Sequence, residues 1–403
     1  MSEIKVYGAP WCPDCKRAKK FLGEHRVAYR WIDIDDEPDG LRFVEELQNG
    51  GRTIPTIIFD DGSHLIEPSN DELAAKLGLQ LTAERGFYDL IIAGGGPTGL
   101  AAAIYAAREG LDTLVIEKSA LGGQAGVTEK IDNYPGFPDG IGGAELADRI
   151  IKQAERYDVE LLSAVSVASI SLDGGDVVVK TGSGDEYCAH ALLIATGSTY
   201  RRLNAPGEED LIGAGIHFCA TCDGPFYKGA DELMIIGSGN SALEEGLFLS
   251  QFAKKITILC RNSQLSASQL LQDKVRGKPQ KFEIHLNTEV KEFQGKNKVS
   301  GVIATNKVTG EETTFTPAAV FVFIGQDPNT KFIGDAVELD RWNFVTTDGG
   351  MQTTLPGVFA AGDVRAGSTK QLASAIGEGV TALLMIRQYL EKSTHVAAHV
   401  VNA

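Results

Sequence analysis

Apolar residues along this chain fall in short runs set between glycine-rich turns and longer stretches of helical period. Over the first 80 residues the pattern predicts strands at 4–7, 28–34 and 57–59, and helices at 16–24, through 46 and at 71–77; this alternation marks an α/β module. Residues 81–87 are polar and aperiodic, so they read as a linker that spans at most about 25 Å when extended. Beyond it lies a buried-strand run at 88–93, a glycine turn, an alanine-rich helix at 100–108 and a strand at 113–116. The same order recurs later, with strands at 233–236 and 256–259. The pattern predicts one small α/β module followed by a duplicated nucleotide-type fold.

Size agrees with several domains, since 403 residues exceed what one core supports and a 43% hydrophobic share fills more than one. With 38 basic and 54 acidic residues the net charge is −16, which repels phosphate backbones and acidic membrane surfaces and argues against nucleic acid or membrane as a partner. No apolar run approaches the roughly 20 residues of a membrane span, and the chain opens on strand-like Lys5-Val6-Tyr7; a cytoplasmic location is expected. Four of the six cysteines form two CxxC pairs, Cys12/Cys15 and Cys219/Cys222. In a reducing compartment such pairs are catalytic or metal-binding. Zinc ribbons set their knuckles about 15–20 residues apart, whereas these pairs belong to different predicted folds, so no metal site is expected.

The chemistry concentrates at the turns. Cys12 stands where a helix begins, and backbone N–H groups with the positive end of the helix dipole favour its thiolate; Cys12 reads as the attacking thiol and Cys15 as the resolving one. In Gly94-x-Gly96-Pro97-x-Gly99 the first glycine makes the tight turn, the second admits a pyrophosphate to the helix terminus and the third allows close helix–strand packing, while Glu117 can bond ribose hydroxyls. Gly237-x-Gly239-Asn240-Ser241-Ala242 repeats that turn, but Cys260 takes the place that Glu117 holds in the first copy. The acid of an NADH site is therefore missing, and Arg261 is the cation available to a 2′-phosphate. His217 reads as a surface or packing residue, Cys188 as a structural thiol and Cys260 as a small apolar strand end.

Residues 2–80 resemble glutaredoxins, mycoredoxin-like ones in particular, through Trp11-Cys12-Pro13-Asp14-Cys15, Thr53-Ile54-Pro55, Gly62 and Pro68-Ser69. The resemblance implies a thioredoxin-like fold with Pro55 cis opposite the cysteines. The Gly-Gly-x-Asp-Asp element that holds glutathione is reduced to Ser69-Asn70-Asp71.

From about Tyr88 to Tyr389 the chain resembles low-molecular-weight thioredoxin reductases, through Gly122-Gly123-Gln124, Asn133-Tyr134-Pro135-Gly136, Ala195-Thr196-Gly197, Cys219-Ala-Thr-Cys222-Asp223-Gly224, the Gly237 turn, Pro328-Asn329-Thr330 and Pro356 through Asp363. This implies two interleaved Rossmann-like three-layer domains: an FAD-binding one at 88–203 and 332–403, and an NAD(P)-binding-like one at 204–331 carrying the CxxC. The FAD residues implied are Gly94, Gly96, Pro97, Gly99, Glu117, Lys118, Gly123, Gln124, Asn133, Thr196, Gly197, Gly362, Asp363, Lys370, Gln371, Leu372 and Ala373. Asp363 would meet the ribityl chain. NADPH would fall to Gly237, Gly239, Asn240, Ser241, Ala242 and Arg261, although the family's His-Arg-Arg and following arginine are here Cys260-Arg261-Asn262 and Ser266. Cys222 would face the flavin, Cys219 would exchange with an outside disulfide, and Asp223 would move the proton. A homodimer is implied, with the central domain rotating at its crossovers.

The expected activity is flavin-dependent disulfide reduction, passing electrons from a nucleotide donor through FAD and Cys219/Cys222 to Cys12/Cys15 and on to a thioredoxin- or glutaredoxin-type disulfide. Alternatives are a ferredoxin-dependent reductase, a peroxiredoxin reductase, a flavin dithiol oxidase independent of NAD(P)H, and a non-enzymatic redox sensor.

Overall fold

Each predicted glycine turn is flanked by a strand and a helix in the computed structural model, which describes residues 4–25, 27–128 and 130–401. The chain divides into two units, one of residues 1–127, 142–197 and 328–403, the other of 128–141 and 198–327.

In the first unit, the amino-terminal module is a four-stranded sheet ordered Tyr29–Asp33, Ile4–Gly8, Thr56–Ile58, His64–Ile66. The first pair is parallel and the others antiparallel. The helices Pro13–Glu24 and Asn70–Lys76 supply Leu22 and Leu73 to a core that also holds Val6 and Ile57, all without exposed surface. Burying such a side chain contributes about 1.5–3 kcal/mol. Sequence periodicity placed the first helix at 16–24, but it starts at Pro13 because proline at the first helical position lacks the N–H that would go unpaired there. The short strand His64–Ile66, absent from the sequence reading, is an exposed edge with too few residues to show alternation.

Residues 81–87 are seated along their length. Leu81 and Ala83 pack on the core of the following domain, Ala83 N donates to the Tyr187 hydroxyl at 3.0 Å, and Glu84 N donates to Glu160 Oε1 at 2.6 Å. Gln80 Nε2 and the Tyr88 hydroxyl also donate to the Glu160 carboxylate, at 2.8 and 2.6 Å. A polar segment can thus be fixed without hydrophobic period when one carboxylate gathers three donors.

The rest of this unit is built on a seven-stranded sheet ordered Val167–Asp173, Asp176–Thr181, Glu186–Ile194, Phe87–Ala93, Thr113–Glu117, Glu160–Ser163, with Val358–Ala360 joining Glu186–Ile194. The strands around Phe87–Ala93 are parallel and buried, which explains their unbroken apolar runs. Pro97–Arg108 and Leu372–Val401 pack together over this sheet, closely enough that a Cβ on Gly379 would meet Thr98 O at 2.3 Å.

The second unit carries a five-stranded parallel sheet ordered Ile216–His217, Ala319–Val322, Ala230–Ile236, Ala253–Leu259, Phe282–His285, and an antiparallel three-stranded sheet of Thr288–Gly295, Val299–Asn306 and Glu312–Phe315. Among the described residues, no helix is long and apolar enough to cross a membrane, and no group of three or more His, Cys, Asp or Glu side chains is placed to hold a metal ion.

Candidate active site: two cysteine pairs and two dinucleotide turns

Cys12 is the N-cap of Pro13–Glu24, and its sulfur accepts from Cys15 N at 3.1 Å. Its thiol faces Ile54 O at 3.7 Å, the carbonyl that precedes the cis Ile54–Pro55 bond. Both cysteines are free thiols and buried, at 4% and 1% exposure, while Trp11 beside them is exposed and donates to Asp35 at 2.8 Å. The two sulfurs differ in chemistry. Burial first, then the hydrogen bond with Cys12, push the Cys15 thiol up to about 12, so it stays protonated at neutral pH. Gly8 makes room for it, since a Cβ there would stand 2.6 Å from Cys15 Sγ.

This asymmetry gives a prediction. Limited alkylation of the reduced protein at neutral pH, read by peptide mass spectrometry, is expected to label Cys12 over Cys15 by roughly a hundredfold, because only the thiolate attacks. Equal labelling would contradict the division into attacking and resolving thiols.

Cys219 and Cys222 form a disulfide with Cα atoms 5.3 Å apart. Cys219 caps the short helix Ala220–Asp223, its sulfur accepting from Cys222 N at 3.2 Å with Thr221 Oγ1 at 3.4 Å. Asp223 closes that turn and is partly exposed; its Oδ2 lies 3.5 Å from His217 Nδ1.

The first dinucleotide turn is shaped as its sequence requires. Gly94 has φ +111°, and a Cβ there would meet Ala195 O at 2.4 Å. A Cβ on Gly99 would stand 2.0 Å from Gly94 O, so only glycine permits this helix–strand approach. Gly96 caps Pro97–Arg108 without a side-chain partner, which leaves the helix's first N–H groups for an anion. Glu117 ends its strand and accepts from Gly95 N and Ser119 N, both at 2.8 Å. Gly123, at φ +52°, approaches Gly96, and Gln124 follows it in Gly123–Gly126. Lys118 Nζ reaches Asn329 Oδ1 at 3.4 Å, while Thr196 and Asn329 exchange hydrogen bonds of 2.8 Å beside Gly197.

Gly362, at φ +76°, abuts Thr98 and donates its N–H to Glu378 Oε2 at 2.9 Å; Arg365 pairs with the same carboxylate at 2.8 Å. Glu378 is a structural support that the sequence reading missed, since nothing in a helical repeat marks the one glutamate that meets Gly362 and Arg365. Burial raises the Asp363 carboxyl above its ordinary range against the opposing charge of Lys370, and burial lowers the Lys370 ammonium. Asp363 has Ser368 Oγ at 3.4 Å, Lys370 lies 4.2 Å above the Phe344 ring, and Gln371 leads into Leu372 and Ala373 at the start of the long helix. The open helix terminus, the glycine cradle and a buried carboxylate suited to hydroxyls fit FAD. Asn133 lies with the second unit, apart in the chain's division from these residues.

The second turn keeps the backbone but not the charges. Gly237, at φ +150°, would clash with Phe323 O through a Cβ at 2.3 Å, and Gly239 caps Asn240–Leu249 without a side-chain partner. Ser241 is exposed and Ala242 buried. Asn240 Oδ1 accepts from Ser268 N at 2.8 Å, and Ser266 Oγ lies 3.2 Å from Ser238 Oγ, so a serine-rich loop folds over the turn. Cys260 is buried, its thiol pointing at Asn262 O and Gln264 O at 3.3 and 3.4 Å, while Arg261 is exposed.

A family model described as pyridine nucleotide-disulphide oxidoreductase matches residues 88–379, and one described as glutaredoxin matches residues 4–65. A thioredoxin reductase of Listeria monocytogenes is 40% identical over 313 residues, covering 77% of this chain and 97% of that protein. A bifunctional thioredoxin reductase/thioredoxin of Mycobacterium leprae is 39% identical over 310 residues, covering 77% and 67%. Among solved structures, thioredoxin reductase from Streptococcus pyogenes aligns with TM-score 0.72 at 40% identity, covering 76% of this chain and 99% of that one. The chain belongs to the pyridine nucleotide-disulphide oxidoreductase family as an FAD-dependent disulfide oxidoreductase of thioredoxin reductase type, and it carries a glutaredoxin domain at its amino terminus.

Proposed function

We propose that the protein reduces disulfides by relay in the cytoplasm, with Cys219/Cys222 as the inner pair and Cys12/Cys15 as the outer one. FAD, when bound, supplies the two-electron chemistry that links an electron donor to the inner pair. Cys222 is the thiol on the flavin side, Cys219 exchanges with the next disulfide, and Asp223 carries the proton. The observation that carries this reading is the coexistence of two CxxC pairs in one chain, each capping a helix with its first sulfur held by a backbone N–H. Glutaredoxin-type pairs lie near −200 to −230 mV against about −270 mV for thioredoxin, so electrons reaching the attached module gain roughly 2–3 kcal/mol over reducing thioredoxin itself. Covalent attachment also gives an effective concentration near about millimolar. The final acceptor is a thioredoxin- or glutaredoxin-type disulfide, on a protein or a small molecule; relay in a homodimer serves it equally.

The donor is proposed to be NADPH, supported by the preserved Gly237–Ala242 turn and by Arg261. Mixing the FAD-loaded protein anaerobically with NADPH or NADH and following flavin absorbance tests this. Bleaching by NADPH is expected, with Arg261→Ala raising its KM about ten- to a hundredfold through loss of a charge-assisted phosphate contact. A second reading draws on the loop that covers the turn and on Cys260-Arg261-Asn262: the donor is reduced ferredoxin or a dithiol, the latter with oxygen as acceptor. Flavin that either of these reduces and neither nicotinamide does would establish it over the first.

A further inference from the structure

His217, expected as a surface or packing residue, is buried at 8% exposure in the strand Ile216–His217. Packing alone does not account for its contacts. Its Nδ1 lies 3.5 Å from Asp223 Oδ2, and its Nε2 lies 2.7 Å from the Tyr227 hydroxyl. The ring is wedged between Tyr227 and Phe321, with centroids at 5.4 and 5.3 Å, so it cannot swing away. Asp223 on the short CxxC helix and Tyr227 on the turn Gly224–Tyr227 are the ionisable groups facing it, and the strand Ala319–Val322 presents Phe321.

With Nδ1–H toward the Asp223 carboxyl oxygen and Nε2 accepting from the tyrosine O–H, the ring can face that carboxyl before and after it gives up its proton. The Tyr227 hydroxyl and the flanking rings hold the imidazole in place, and the imidazole faces the carboxyl that adjoins Cys222. We propose that His217 is a positioning residue for Asp223, holding it for proton delivery to the departing sulfur in disulfide exchange; this rests on the proton role assigned to Asp223 above. In that exchange the Cys219 thiolate, its proton given to solvent, attacks an outside disulfide. A bond forms from Cys219 to one sulfur, the outside S–S bond breaks, and the departing sulfur takes its electron pair and one proton from Asp223. Cys222 then attacks Cys219, its thiol proton returning to Asp223. The second sulfur leaves with its electron pair and takes a proton from solvent. The protein pair loses two electrons and two protons, and the outside pair gains both.

The test uses FAD-loaded full-length protein with Cys12→Ser, Cys15→Ser and, at the two lone thiols, Cys188→Ser and Cys260→Ser, so that Cys219/Cys222 alone reports. The pair is reduced with a phosphine, freed of it, and mixed with an alkyl disulfide (hydroxyethyl disulfide) or an aromatic one (dithiobis-nitrobenzoate), and the thiols released are counted by mass spectrometry. An aromatic thiolate leaves without needing a proton; an alkyl thiolate does not. His217→Phe is expected to slow the alkyl reaction about ten- to a hundredfold and leave the aromatic one within about twofold, a share of the roughly 10²–10⁴-fold that a general acid contributes. His217→Asn, whose amide N–H takes the place of Nδ1–H, is expected to restore most of the alkyl rate. Equal slowing of both disulfides, or an Asn variant no faster than Phe, would overturn the proposal by reducing His217 to packing. Asp223→Asn separates the two levels: if it leaves the alkyl-to-aromatic ratio unchanged, the role given to Asp223 itself fails.

Discussion

Cys222→Ser is expected to remove disulfide turnover, with kcat down by at least about a thousandfold, while the protein still folds and holds FAD. On the proposed relay the inner pair works only as a pair. Cys219 and Cys222 are bonded to each other, and the N–H of one residue donates to the sulfur of the other at 3.2 Å, so the short helix positions both atoms for one reaction. Serine occupies nearly the same volume and preserves that backbone hydrogen bond, but it cannot close the disulfide that stores two electrons. Cys219→Ser should be equally inactive in turnover. The measurement is steady-state reduction of an outside disulfide, with the flavin spectrum as the control for folding. Turnover that survived either substitution would mean that electrons leave the protein by another route.

How much of this was legible in the sequence depends on what each residue is used for. The Gly94 and Gly237 turns were legible because their conformations exclude side chains: positive φ and carbonyls at 2.4 and 2.3 Å leave room for no Cβ, and glycine announces that in any context. The parallel strands were legible because both faces are buried and their apolar runs are unbroken. The antiparallel strands such as Val167–Asp173 and Thr288–Gly295 were not, because they bury few residues and carry polar ones that resemble loop. The anchoring of 81–87 was hidden for a different reason. It depends on Glu160, which lies far away in sequence and looks like any surface glutamate until three donors converge on it. His217 is packed, as one of its two readings had it, but one histidine in a short strand says nothing of the contact that a turn brings back from Asp223.

Cys12→Ser is expected to leave reduction of the inner pair intact yet cut transfer to a glutaredoxin-type outside disulfide by at least about a hundredfold, whereas Cys15→Ser should stall one step later, with the substrate trapped on Cys12 as a mixed disulfide. The distinction follows from the thiols themselves. Cys12 sits at a helix N-terminus with its sulfur accepting an N–H, an arrangement that favours attack. Cys15 is pushed up to about 12 by burial and then by its hydrogen bond and charge interaction with Cys12. In a mixed disulfide Cys12 can carry no charge, so both contributions from Cys12 weaken and the resolving thiol becomes easier to ionise when it is needed. Because the active form of Cys15 is the deprotonated one, the resolving step should speed up as pH rises through the neutral and alkaline range. Intact-mass analysis after mixing Cys15→Ser protein with a disulfide substrate should find one added substrate half per module. Finding none, with transfer still fast in Cys12→Ser, would show that the amino-terminal module does not lie on the electron path.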